Sequence, residues 1–95
     1  MSHLNIEEIK EISIRILRDA RVKKAALFGS YARGDFDELS DVDILIEPPQ
    51  DMGLNFITLK LNLENSLHKK VDLVSYRGIS KYLKPYILAN QISLI

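Results

Sequence analysis

The sequence predicts a small α/β (α+β) fold, and three observations carry that reading. An apolar run ends abruptly at a glycine, two further short β-branched runs each carry acidic residues, and helical periodicity fills the stretches around them. The expected order is helix, strand, turn, strand, helix, strand, helix, without repeats or a linker.

In the first helix Ile6, Ile9, Ser13, Ile16 and Leu17 approximate an apolar stripe, with Glu7, Glu8, Lys10 and Glu11 facing away, so this helix should cover the sheet. Lys24, Ala25, Ala26, Leu27 and Phe28 then form a short buried strand that stops at Gly29. Gly29 has no Cβ, so the backbone can take a positive φ and a ligand can approach the main-chain N–H groups. Ser30 adds a small hydroxyl at the start of one helical turn through Tyr31, Ala32 and Arg33, where unpaired N–H groups favour an anion. A triphosphate suits such a turn.

Asp41 to Ile46 has the alternation of a second strand, which Pro48 and Pro49 stop. Side chains alternate across a strand, so Asp41 and Asp43 share one face while Val42, Ile44 and Ile46 fill the other. Residues two apart lie roughly 6.5–7 Å apart along a strand, within reach of one cation. Two like charges so placed repel unless a cation or proton intervenes. Hard oxygen donors of this kind suit Mg²⁺. A third acid, Asp72, lies inside the strand-like run Val71, Asp72, Leu73, Val74, and joins the pair if the two strands are neighbours.

Between them, residues 54–67 read as a helix with Phe56, Leu59, Leu63 and Leu67 on one side and a second apolar row of Leu54, Ile57 and Leu61. That composition fits a deep core helix, or one whose second row meets a partner. A last helix falls within 79–90, with Pro85 starting its main part or bending an earlier turn, and residues 92–95 add a short strand. Tyr76, Tyr82 and Tyr86 read as packing residues.

Taken singly, each candidate site residue has an ordinary explanation. Gly29-Ser30 is a common turn, Asp41 can cap a turn after Ser40, Asp43 can face solvent, Arg33 can pair with Asp35 or Asp37, and Asp72 can be a satisfied strand-edge acid. The weight lies in their joint occurrence, in order: turn, hydroxyl, arginine and two acids on one strand face.

With 95 residues, 46% hydrophobic and 27% charged, the chain reads as one small globular domain, residues 1–95. It lacks a long apolar run, and Met1, Ser2, His3, Leu4 and Asn5 lack a leader pattern, so a cytoplasmic location without membrane contact is expected. No cysteine is present, which excludes disulfides and thiolate metal sites. His3 and His68 are isolated in sequence, which argues against zinc. Thirteen basic residues balance thirteen acidic ones, so no global field draws the chain onto nucleic acid. Lys23-Lys24 and Lys69-Lys70 read as solvated strand entries, with one lysine reaching nucleotide phosphates as the alternative.

Gly29-Ser30-Tyr31-Ala32-Arg33-Gly34 followed by Ser40-Asp41-Val42-Asp43-Ile44-Leu45 resembles the signature of the DNA polymerase β-like nucleotidyltransferase superfamily, in its minimal (MNT) branch. The resemblance covers nearly the whole chain and implies a short mixed sheet with helices packed on it. It implies that Asp41, Asp43 and Asp72 hold two Mg²⁺ ions and carry catalysis, with Asp72 also placed to act as general base. It implies further that Gly29 and Ser30 bind the triphosphate of ATP and that Arg33 occupies the family's arginine position. Members of this branch commonly act as antitoxins beside a HEPN-domain ribonuclease toxin, which implies transfer of AMP from ATP to a toxin tyrosine and a homo- or hetero-oligomeric assembly. Two other readings stay open: a non-catalytic module that neutralises a partner by contact, and nucleotidyl transfer to a small molecule.

Overall fold

The computed structural model describes residues 4–95, so Met1, Ser2 and His3, with most of the leader reading, lie outside the described residues. Helix α1 (Ile6–Asp19) starts where Asn5 and Glu8 form a reciprocal capping box. Asn5 Oδ1 accepts from the Glu8 N–H at 2.8 Å and Glu8 Oε1 accepts from the Asn5 N–H at 3.2 Å, which satisfies two donors a helix start leaves over. Ile9, Ser13 and Leu17 form its buried stripe, as the periodicity predicts. Ser13 Oγ is buried without a hydrogen-bond partner.

Strand β1 (Lys24–Phe28) leads into the short helix α2 (Gly29–Arg33), then β2 (Val42–Glu47), α3 (Asn55–Leu67) and β3 (Val71–Ser75). A single 3₁₀ turn (Tyr76–Gly78), helix α4 (Lys84–Ala89) and strand β4 (Ile92–Ser93) complete the chain. Pro85 stands in the first turn of α4, where its missing N–H costs nothing, so it starts the helix rather than bending it.

The four strands form one mixed sheet in the order β3-β2-β1-β4. Strand β1 runs antiparallel to both β2 and β4, while β2 and β3 are parallel. Parallel neighbours need a crossover, and α3 supplies it. Ala25 and Leu27 of β1, Val42, Ile44 and Ile46 of β2, and Val71 and Leu73 of β3 turn to one face. There they join Ile9 and Leu17 of α1 and Leu59, Leu63 and Leu67 of α3 in the main core.

Helix α3 is less buried than a deep core helix. Leu59, Leu63 and Leu67 are buried, but Leu54, Ile57 and Leu61 are 84%, 57% and 51% exposed. The sheet and α1 reach only one side of it, so the second apolar row is left at the surface. Tyr82 and Tyr86 also depart from the packing expectation, at 76% and 73% exposed: Tyr82 lies in the turn before α4, and Tyr86 in α4, which is short and has no buried residue. Among the described residues, no helix is long and apolar enough to cross a membrane.

Candidate active site

The site is assembled at the point where β1 ends and β2 and β3 begin. Asp43 lies opposite Phe28 on one neighbouring strand and opposite Asp72 on the other, so the two acids stand side by side on adjacent strands. Asp41 precedes β2 by one residue and has the same parity as Asp43. The adjacency that the sequence permits for Asp72 is therefore realised.

Gly29 follows Phe28 directly, with φ of 71°, in the left-handed region that favours glycine. A Cβ built there would overlap Asp43 Oδ2, and would lie 3.0 Å from Asp43 Cγ. The glycine thus does two things: it turns the chain into α2 and leaves room for the carboxylate. Ser30 is half-buried at the start of α2, and Gly34 closes that helix with φ of 88°, its N–H donating to the Ser30 carbonyl at 2.9 Å.

The electrostatics centre on Asp43, whose carboxyl is pushed up from 3.8 to about 6. Burial is the largest cause, the Asp72 carboxylate next and the Asp41 carboxylate third, while the Arg33 guanidinium pulls the other way. The carboxylates feel one another without having converged: among the described residues, no three His, Cys, Asp or Glu side chains are gathered closely enough to hold a metal ion. Coulomb interaction reaches further than a metal–oxygen bond, so the two observations agree. An all-oxygen set of three acids, one of them with its charge disfavoured by the others, fits a hard divalent cation.

Arg33 acts on Asp43 through its charge and makes its contact elsewhere. Its Nε donates to Asp35 Oδ2 at 3.2 Å in an exposed pair, the ordinary partner that the sequence allows for it. Such a surface pair contributes little stability and leaves the guanidinium free to exchange partners. The turn before β2 belongs to Asp37 and Ser40, not to Asp41. The Leu39 N–H donates to Asp37 Oδ1 at 2.9 Å and the Asp37 N–H donates to Ser40 Oγ at 2.9 Å. Asp41 is therefore not used up as a cap.

Sequence reasoning did not find the braces of this loop. Phe36 stacks on Tyr31 with ring centroids 4.4 Å apart, and Lys69 Nζ donates to the Glu38 carbonyl at 3.1 Å while standing 6.0 Å from the Tyr31 ring centroid. Tyr31 lies inside the Gly-Ser turn helix and is buried. A large aromatic in so short a helix was the available signal. Lys24 is not a bare solvated lysine either, since its Nζ lies 4.8 Å from the Tyr76 ring centroid. Asp72 is exposed at this end of the sheet, and Asp41 and Asp43 are half-buried beside it. A groove of 1410 Å³ lies at the other end, lined in part by Lys23, Glu47, Met52, Asn62 and Arg77.

Comparison with known proteins agrees with this geometry. Residues 7–95 match the family described as polymerase beta, nucleotidyltransferase. The protein adenylyltransferase MntA of Thermococcus cleftensis is 40% identical over 97 residues, covering 97% of this chain and 98% of that one. A chain in a crystal structure of a toxin–antitoxin with AMP-PNP superposes with a TM-score of 0.78 at 28% identity, covering 90% of this chain and 72% of that one. A chain from the tri-AMPylated Shewanella oneidensis HEPN toxin in complex with MNT antitoxin gives a TM-score of 0.72 at 25% identity, covering 94% and 71%.

Proposed function

This chain belongs to the polymerase β nucleotidyltransferase family, and from that premise we propose that it is a protein adenylyltransferase that moves AMP from ATP to a tyrosine hydroxyl of a HEPN-domain toxin. The observation that carries the reading is the register of Asp43 beside Asp72 under a glycine that admits no side chain. The similarity to MntA and to chains from toxin–antitoxin structures, one with AMP-PNP and one with an AMPylated toxin, supports both substrates. The unit is a single minimal nucleotidyltransferase domain over residues 1–95, acting in the cytoplasm.

In this reading Asp41, Asp43 and Asp72 would hold Mg²⁺, two ions in the working complex, and the metal would neutralise charge on the phosphates. Gly29 and Ser30 present backbone N–H groups and a hydroxyl to the outer phosphates of ATP, and Arg33 leaves Asp35 to add positive charge beside them. The tyrosine oxygen forms its bond to the α-phosphorus as the bond from that phosphorus to the bridging oxygen breaks and diphosphate leaves. Asp72, the more exposed of the paired acids, accepts the hydroxyl proton. Because Asp72 is exposed, a protein-borne tyrosine can reach it.

A second reading has one observation behind it. The exposed row of Leu54, Ile57 and Leu61 would let the chain neutralise a partner by contact alone. Incubating the chain and a purified HEPN-domain partner with α-labelled ATP and Mg²⁺ separates the two. Label on the partner that disappears with Asp43→Asn supports transfer. Inhibition of the partner that survives this substitution, without label, removes it.

A further inference from the structure

We propose that Lys69 is a positioning residue for this nucleotidyl transfer, a latch between the start of β3 and the loop that delivers Asp41. The inference rests on the transfer reading above, and it concerns what holds the acid pair in line.

Residues 34–41 run from α2 to β2 without regular secondary structure, and Asp41 is the last of them. A loop end tied at one point can still pivot. Here it is tied at two, both supplied by the residues that enter β3. Lys69 Nζ donates to the Glu38 carbonyl at 3.1 Å, and the Lys70 carbonyl accepts from the Val42 N–H at 3.0 Å. Asp41 lies between those two attachments. The β3 side of the bracket also carries Asp72, three residues after Lys69, so one short stretch sets the position of two of the three acids.

The same ammonium stands 6.0 Å from the centroid of Tyr31, which is buried and stacked on Phe36. Tyr31 follows Ser30 in α2, so the Lys69 ammonium joins the phosphate-turn helix to the loop, while its backbone leads into the third acid's strand. A charged donor to a carbonyl makes a stronger bond than a neutral one, and its position over the ring adds a weak cation–π attraction. Lys69 is half-buried, unlike its exposed neighbour Lys70. Lys69 does not figure among the charges that move Asp43.

A misplacement of about 1 Å in reacting groups can lower a rate about 10²-fold. Lys69→Met keeps the stem and removes the donor. We expect kcat for transfer of labelled AMP to the HEPN-domain partner to fall about 10- to 100-fold, with KM for ATP changed less than about 3-fold. Lys69→Arg, which can still donate to Glu38 and lie over Tyr31, should recover most of the rate. In the full chain without nucleotide, amide exchange at Leu39 and Val42 should quicken in the Met variant while Ile44 and Leu63 keep their protection. Unchanged kcat, or a KM that rises with kcat intact, overturns the latch, the second result making Lys69 a phosphate ligand. Should the wild-type chain transfer no label, the exchange measurement still decides: equal exchange at Leu39 and Val42 in both proteins ends the proposal. If Lys69→Met does not fold, Lys69→Gln takes its place in both measurements with the same expectations.

Discussion

The two faces of β2 are built for opposed ends. Val42, Ile44 and Ile46 point into the main core and are fully buried, where each is stabilised by leaving water. Asp43, between the first two, points the other way and has a carboxyl whose ionisation its surroundings oppose. One face is wholly apolar, while the other buries Leu45 but also carries an acid that works against the fold. The strand can carry such an acid because the residues on either side of it are anchored below. Strained or repelling groups of this kind are characteristic of functional sites.

The largest effect should come from the opposed face. Asp43→Asn removes one carboxylate from the set proposed to hold the metal, a change worth about 4 kcal/mol of transition-state stabilisation, or about 10³-fold in rate. Transfer of α-labelled AMP measures it, and a rate within 10-fold of wild type would remove Asp43 from the chemistry. The matching core substitution, Ile44→Ala one residue on, should cost about 2–5 kcal/mol of folding stability by urea unfolding. Its kcat in the folded fraction should hold if the two faces are separable.

Gly29→Ala tests the seam between the faces. The substitution forces a side chain into a positive-φ position, costing about 1–2 kcal/mol, and its Cβ displaces the Asp43 carboxylate. Transfer should drop about 10²-fold, since the acid moves by an ångström or more. A variant that loses stability but keeps its rate would show that Asp43 has room to adjust.

The same acid yields a stability prediction of opposite sign. With the Asp43 pKa raised from 3.8 to about 6, the folded chain binds more protons than the unfolded chain between those values, so stability falls as pH rises through the window. Asp43→Asn should therefore be more stable than wild type above about pH 6, on the order of 1 kcal/mol once solvent screening of a partly exposed group is allowed for. The gain should vanish below about pH 4. Mg²⁺ should raise the wild-type Tm and leave the variant's unchanged, because only a folded state that binds the ion is stabilised by it.

How much of this was legible in the sequence divides along a physical line. The phosphate turn, the parity of Asp41 and Asp43 and the stripe of α1 are local, set by backbone period and by the residue type that takes positive φ most readily. The pairing of Asp43 with Asp72 is not local. It needs α3 to bring β3 back parallel to β2, and no residue in either strand encodes that register by itself. The latch at Lys69 is further out of reach, since its acceptor is a backbone carbonyl 31 positions away in the chain. Carbonyls have no sequence signature. The exposed row on α3 was visible as greasiness, but which row would be covered depended on where α1 and the sheet come to lie.

That row repeats the contrast of β2 on a helix, and it gives the smallest expected effect. Leu61 is 51% exposed and Leu63, two positions on, is fully buried. If the outer row contributes nothing to the fold, Leu61→Glu should move the unfolding free energy by no more than about 0.5 kcal/mol. Leu63→Ala should cost about 2–5 kcal/mol, because it opens a cavity against the sheet. The midpoint of urea unfolding measures both. A large loss in Leu61→Glu would mean that Leu61 is covered in the isolated chain, most simply by a second copy, and unfolding should then depend on protein concentration. An unchanged midpoint, together with loss of binding to the HEPN-domain partner, would assign the row to that partner. It would also separate the contact that holds the partner from the acids proposed to modify it.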